Sequence, residues 1–281
     1  MNLLLEKYPF PPRIKKPIES LVNSKEKAEK YKKLLDFGEV LVIYLASVTL
    51  GEYKKSQITN VKFERSLKSG ANLSVGVYVG IIRESLKALK QAQVPSVLEN
   101  LFPEKKGFES TSIKLFIKSF DAIKKGIEKE GMVSDFSQIV ETCNKPGQLN
   151  GKTSLADFFN TFVQLRNKTA HPIYLNKEGV QIHWPSNEEY FDVFNPLLEN
   201  AFNNIIEVLK PVWDYREFKV LESDSDILVV EANDQNDKKT VEEFYISAQI
   251  ESGLSILIRE TGEFIINDMR RNLKPGAEAL R

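Results

Sequence analysis

TSLADFFNTFVQLRNKTAHP, residues 153–172, is the most telling stretch of the chain. Its Thr, Ser and Asp residues suit a helix start. Leu155, Phe158, Phe159 and Phe162 recur at spacings of three and four, so Thr153 to Ala170 is predicted as a helix with an apolar face. Arg166 extends that face by one more i, i+4 step. A guanidinium turned inward is costly unless paired, so Arg166 needs a carboxylate, a partner chain or an anion. His171 lies five residues on, about 140° away at ~100° per residue in an unbroken helix. Pro172 disfavours helical geometry at residue 171, so the helix should end near Ala170 and His171 should swing back toward the arginine.

Toward the N-terminus the grammar stays helical. Thr111 to Glu130 carries Ile113, Phe116, Ile117, Phe120, Ile123 and Ile127 in one stripe, with Gly131 as its stop. Residues 133–143 suit a short helix, and Ser74 to Gln93 another, ended before Pro95. Ser24 to Ser56 is a long helix, with Gly38 expected to bend it and Gly51 as an earlier stop, followed by a polar loop. Residues 1–23 hold Pro9, Pro11, Pro12 and Pro17, each lacking a backbone donor, and read as an extended arm packed on the body.

Toward the C-terminus, Ile173-Tyr174-Leu175 and Val180 to Trp184 flank a loop at residues 176–179 that contains Gly179. This predicts a β-hairpin over 173–184. Pairing Asn176 with Gly179 would place Pro172 opposite His183, bringing both histidines to one end of the hairpin. Ser186 to Glu189 reads as a capping box opening a strong helix through Phe191, Phe194, Leu198, Ala201, Ile205, Val208 and Val212, with Pro196 as a kink or later start. After Asp214 the pattern changes to β runs at 218–221, 227–230, 243–246 and 254–258, separated by turn clusters at 223–226, 233–237 and 261–262, then a basic tail from Asn267. The expected fold is mainly α: an arm (1–23), a helical domain (24–213) with an inserted hairpin, and a small antiparallel β module with its tail (214–281).

Composition narrows the function. The 281 residues carry 39 Lys+Arg and 39 Asp+Glu, so binding nucleic acid by bulk charge is excluded, though not by a local patch. One cysteine, Cys143, rules out an internal disulfide and a cysteine-cluster metal site, and two histidines, His171 and His183, make a His-rich centre improbable. The acidic clusters at 222–226 and 234–243 lack EF-hand spacing. No metal or other cofactor is expected. The apolar start is too short for a signal peptide, and the longest uncharged apolar run, Val40 to Leu50, has eleven residues against the ~20 that span a bilayer. A cytoplasmic protein with no membrane partner is expected.

An arginine and a histidine at one helix end suit phosphodiester chemistry. Histidine, with a pKa of ~6.5, exchanges a proton with a ribose 2′-OH or a leaving 5′-oxygen. Arginine offers a fixed charge and a planar donor fork to phosphoryl oxygens. Such cleavage needs no metal. Asn167 is placed to orient the histidine or a phosphate.

Arg166-Asn-Lys-Thr-Ala-His171, at a helix end after an aromatic-apolar stripe and before a long helix, resembles the R-x4-6-H motif of HEPN domains, and Asn167 matches the polar residue that often follows the arginine. The resemblance covers roughly residues 24–213. It implies an α-helical up-and-down bundle, a homodimer with the motifs facing each other, and metal-independent endoribonuclease activity in toxin–antitoxin or other defence systems. Arg166, Asn167 and His171 would carry the site and RNA would be the substrate, with an antitoxin or a larger defence complex as partner. An acidic residue from an earlier helix supports the site in some families, and Glu39, alone among apolar neighbours, is the candidate here. His183 is a further supporting candidate, though a hairpin surface residue is its simpler reading. The hairpin, arm and β module exceed a minimal domain of this kind. They favour the alternative of a non-catalytic sensor or adaptor that binds a nucleotide, RNA or a protein.

Overall fold

The computed structural model describes residues 1–68, 74–103, 107–130, 133, 135–176, 179–213, 215–223, 227–233, 239–245, 250, 252–253, 255–258 and 264–266. The helices are α1 (Asn2–Lys7), α2 (Pro12–Val22), α3 (Lys27–Lys55), α4 (Val61–Lys68), α5 (Val75–Gln91), α6 (Thr111–Glu130), α7 (Phe136–Cys143), α8 (Leu155–Ala170), α9 (Glu188–Val208) and α10 (Lys210–Trp213). The strands are β1 (Ile173–Leu175), β2 (Gln181–His183), β3 (Arg216–Ser223), β4 (Ile227–Asn233), β5 (Lys239–Tyr245), β6 (Ser255–Ile258) and β7 (Phe264–Ile266). The protein is mainly helical, with two small antiparallel sheets. Gly131, the hairpin tip at 177–178, Asp214, the turn clusters after Ser223, after Asn233 and at 261–262, and the basic tail lie outside the described residues.

The N-terminal arm corrects the sequence reading: it is helical, not extended. Pro12 takes the first helical position of α2, where a missing N–H is no loss. The Pro11 carbonyl accepts the first bonds, from Ile14 N at 2.8 Å and Lys15 N at 2.9 Å. Ile14, Ile18 and Leu21 then form a buried stripe. Three such side chains contribute roughly 1.5–3 kcal/mol each, against ~3 kcal/mol for an interior proline such as Pro17. Burial therefore wins.

Other boundaries move for similar reasons. The loop expected after α3 contains α4, started by Asn60, whose Oδ1 accepts from Phe63 N at 3.1 Å. Helix α3 runs unbroken through Gly38 and past Gly51. Pro196 sits inside α9 on an exposed face, where water can satisfy the carbonyl its ring leaves unbonded. The cap of α9 is Asn187 rather than Ser186: its Oδ1 accepts from Tyr190 N at 3.0 Å. The hairpin register is one residue off the expectation, with Ile173, not Pro172, opposite His183. Asn176 N donates to Val180 O, which sets that register.

The chain packs into two compact units. The first comprises Met1–Leu4, Pro17–Val40 and Asn100–Val208; the second comprises Leu5–Lys16, Leu41–Glu99 and the described part of Leu209–Arg281. In the first unit, α6 packs on α7, α8 and α9. Its core is aromatic: Phe158 meets Phe116 at 5.3 Å, Phe159 at 5.3 Å and Phe202 at 5.4 Å. The Cβ that Gly38 lacks would fall within the van der Waals radii of the Phe162 and Phe202 rings, so α3 approaches α8 and α9 closely there. Ser154 and Asp157 form a full capping box at the start of α8, with Ser154 Oγ accepting from Asp157 N at 3.1 Å and Asp157 Oδ2 accepting from Ser154 N at 3.0 Å.

In the second unit, five strands pair antiparallel in the order β5-β4-β3-β6-β7. One face buries Phe218, Val220, Leu228, Val230, Ile256 and Ile258, with Phe244 packed against them. Arg13 of α2 pairs with Glu217 of β3 at 3.7 Å, and Tyr44 of α3 stacks on Trp213 with ring centroids 6.0 Å apart. Helix α3 is also the described helix long and apolar enough to cross a membrane; 78% of its most apolar window is buried inside the protein.

Candidate functional site

The sequence motif lies on the last turn of α8. The capping box fixes where that helix starts, and Pro172 fixes where it ends: His171 caps it at φ −126°, ψ 73°, with its N–H donating to Asn167 O at 2.9 Å. Arg166 finds its carboxylate within the same unit. Its Nε donates to Glu39 Oε1 of α3 at 2.5 Å, both side chains about one-third exposed. The two residues singled out from opposite ends of the helical segment, 127 positions apart, therefore form one ion pair.

The pair sits on the wall of a cavity of about 400 Å³. One wall is a face of α3, Ala28, Tyr31, Lys32, Leu35, Asp36 and Glu39, spaced by threes and fours. Facing it are Arg166, Thr169 and Ala170 of α8, Pro172, the turn Trp184-Pro185-Ser186, and Phe191 of α9. A directed hydrogen-bond chain ties these elements together. Trp184 Nε1 donates to Tyr190 OH at 3.1 Å, and Thr169 Oγ1 donates to Leu165 O at 3.1 Å. With those ends fixed, Tyr190 must donate to Tyr31, and Tyr31 to Thr169, each across 3.0 Å. Burial pushes the Tyr31 hydroxyl up to about 12, only partly offset by its hydrogen bonds to Thr169 and Tyr190.

The remaining motif residues take different places. Asn167 and His171 are exposed and do not line the cavity, although Ala170 and Pro172, on either side of His171, do. Lys168 lies over the Tyr174 ring and 3.6 Å from Glu128, which fastens α8 to the hairpin and to α6. Burial lowers its pKa while Glu128 opposes the shift. His183 stands on the exposed face of β2 with its Nε2 3.2 Å from Gln181 Nε2, away from the cavity lining. The structure thus brings Glu39 to Arg166 and does not bring His183 to either.

Lys32, Asp36 and Phe191 also line the cavity; the sequence reading placed Phe191 in the apolar stripe of its helix and singled out neither Lys32 nor Asp36. The trace that Lys32 and Asp36 leave in the sequence is an i, i+4 step to each other and an i+3 step on to Glu39, a spacing that a solvated helix face shows equally. Among the described residues, no group of three His, Cys, Asp or Glu side chains is arranged to hold a metal ion. No protein-family model matches the chain, and no curated protein and no solved structure matches it either.

Proposed function

We propose that the protein is an endoribonuclease of the HEPN kind, cutting RNA by attack of a ribose 2′-OH on the adjacent phosphate. The observation that carries this reading is the Arg166–Glu39 pair on a cavity wall, with a helix-capping histidine five residues after Arg166. Glu39 occupies one donor of a five-donor guanidinium and sets its plane, leaving the other N–H groups for phosphoryl oxygens. His171, exposed between the lining residues Ala170 and Pro172, takes the 2′-OH proton and returns one to the leaving 5′-oxygen. Asn167, exposed on the same turn, orients one of them. The products are a 2′,3′-cyclic phosphate and a 5′-OH end. A homodimer acting in the cytoplasm, in a defence or toxin–antitoxin setting, is part of the same proposal.

The test is cleavage of a mixed RNA pool in EDTA by wild type, His171→Ala and Arg166→Ala, with folding checked by circular dichroism and end groups identified. Loss in both folded variants, with cyclic-phosphate ends from wild type, supports the site. Cleavage that survives both substitutions refutes it. A sedimentation profile showing only monomer across micromolar concentrations refutes the dimer. One observation favours a second reading, a nucleotide-binding module without cleavage: the cavity is lined by Arg166 but not by His171. RNA left intact by wild type with nucleotide binding retained would select it.

A further inference from the structure

We infer that the cavity takes a guanine nucleotide bearing a single phosphate, its base against Phe191, its base edge on Asp36 and Lys32, and its phosphate on Arg166. The assignment rests on reading Arg166 as the phosphate-binding group. Size is the first argument: about 400 Å³ lies near the small end of ligand pockets, usually ~300–1,000 Å³. That is room for one nucleotide, not for an oligonucleotide. Charge is the second. The charged lining residues are Lys32, Arg166, Asp36 and Glu39, two of each sign, and Glu39 already takes one donor of Arg166. A triphosphate would lack cations there, whereas a single phosphate group can be met by the remaining guanidinium donors.

The base edge follows from the donor and acceptor order. Among the described residues the Lys32 and Asp36 side chains are exposed and have no hydrogen-bond or ion-pair partner. They stand four residues apart on α3, so a cation and a carboxylate face the cavity mouth one turn from each other. Guanine presents O6 as acceptor beside N1–H and N2–H as donors, so a carboxylate can accept both donors while an ammonium meets O6. Adenine sets an acceptor beside its single amino donor, and a carboxylate there meets a lone pair. Uracil has one ring N–H between two acceptors, and cytosine again places an acceptor next to its amino group. Phe191 supplies the stacking surface: it is half-buried, lines the cavity, and has its ring braced at 5.2 Å by Tyr31.

Titration calorimetry with 3′-GMP, 3′-AMP, 3′-CMP and 3′-UMP, at fixed ionic strength, tests the assignment on the full chain. Wild type should bind 3′-GMP about 10-fold tighter than the others, the order expected for a bidentate base contact. Asp36→Asn, an exposed helix position, should fold normally and erase that gap. Arg166→Ala should weaken 3′-GMP but leave guanosine unchanged. Equal binding of the four nucleotides, or a gap that survives Asp36→Asn, overturns the inference. Mapping the cut sites separates this from the nuclease reading. Cleavage with no guanine beside the cut sinks the guanine pocket alone; selective 3′-GMP binding with RNA left intact sinks the nuclease reading and keeps the pocket.

Discussion

Tyr31 ties the α3 wall of the cavity to α8 and α9 because its hydroxyl both accepts from Tyr190 and donates to Thr169. Tyr31→Phe leaves the buried Tyr190 hydroxyl with nowhere to donate, and should lower stability by about 1–3 kcal/mol in urea titrations. The pH dependence has a definite sign. The unfolded phenol titrates near ~10, the folded one at about 12. Between those values the unfolded chain gives up a proton that the native state keeps, so this contribution is complete below pH ~10 and is lost as the pH rises toward 12. Urea midpoints at pH 8, 10 and 11 should fall, and Tyr31→Phe should flatten the fall; an unchanged slope would contradict the assignment. Glu39 and Arg166 differ in kind. A partly exposed ion pair contributes about 1 kcal/mol or less, so Glu39→Ala should barely move the melting temperature. Under the proposed nuclease reading, Glu39 positions Arg166, and its truncation should still lower RNA-cleavage kcat by ~10–100-fold, with Glu39→Gln restoring part of it. Under the same reading Arg166→Ala should lower kcat roughly 10²–10³-fold, as lost transition-state stabilisation. A Glu39→Ala variant with full kcat would show the pair to be structural only. Of this cavity, the Arg166–Glu39 pair was legible because an arginine on an apolar face and a carboxylate among apolar neighbours each demand a partner, whereas His171, a candidate by its motif, does not line it. Lys32 and Asp36 were not legible, since charges on a helix next to a lysine-rich run look the same whether they face water or a cavity.

The long helices of the first unit were legible to within a few residues, because an apolar stripe at spacings of three and four has one geometric solution. Thr111–Glu130 is the clearest case. What failed was the weight given to proline and to short segments. Pro12 and Pro17 were taken to exclude a helix, yet Pro12 falls where no N–H is needed and Ile14, Ile18 and Leu21 bury enough surface to carry Pro17. Helix α4 was read as loop because its polar residues outweighed a stripe of two, Phe63 and Leu67, both buried. The same element-scale logic makes Gly38 a packing residue. Gly38→Ala gains ~1 kcal/mol of helix propensity, but its methyl group would have to displace the Phe162 and Phe202 rings, and overpacking of that sort costs ~1–3 kcal/mol. A net loss is expected, read as a lower urea midpoint, and Gly38→Val should lose more. A stabilised Gly38→Ala protein would mean that the rings yield freely. Asn187→Ala removes the side-chain acceptor at the start of α9 and should cost ~1 kcal/mol.

At the scale of the molecule, sequence order and compactness part company. Read along the chain, the β runs follow the helices and look like an appended module. In space, the sheet shares its unit with residues from α2, α3, α4 and α5, because each unit is assembled from three separated stretches. Periodicity reports which face of an element is apolar, not which distant element covers it, so this interleaving left no local trace. It has a consequence for truncation. Tyr44 and Trp213 are fully or almost fully buried, Phe10 packs on Trp213 at 5.1 Å, and Arg13 is paired with Glu217 of the central strand. Tyr215 and Glu217 lie close enough to Tyr44 to help raise its pKa, after the larger effect of burial. Removing residues 214–281 therefore takes away Glu217, the partner of Arg13, and the Tyr215 and Glu217 side chains beside Tyr44, rather than trimming a tail. Each aromatic buries ~150–250 Å²; re-exposing half of the Tyr44 ring at ~25 cal/mol/Å² costs about 2–3 kcal/mol, a large share of the stability of a typical domain. A chain ending at Trp213 should lose its near-ultraviolet circular dichroism and aggregate, while retaining much of its helical far-ultraviolet signal. If that chain instead stays soluble with an unchanged near-ultraviolet spectrum, the sheet is dispensable to the packing of Tyr44, and the second unit is held by its helices alone.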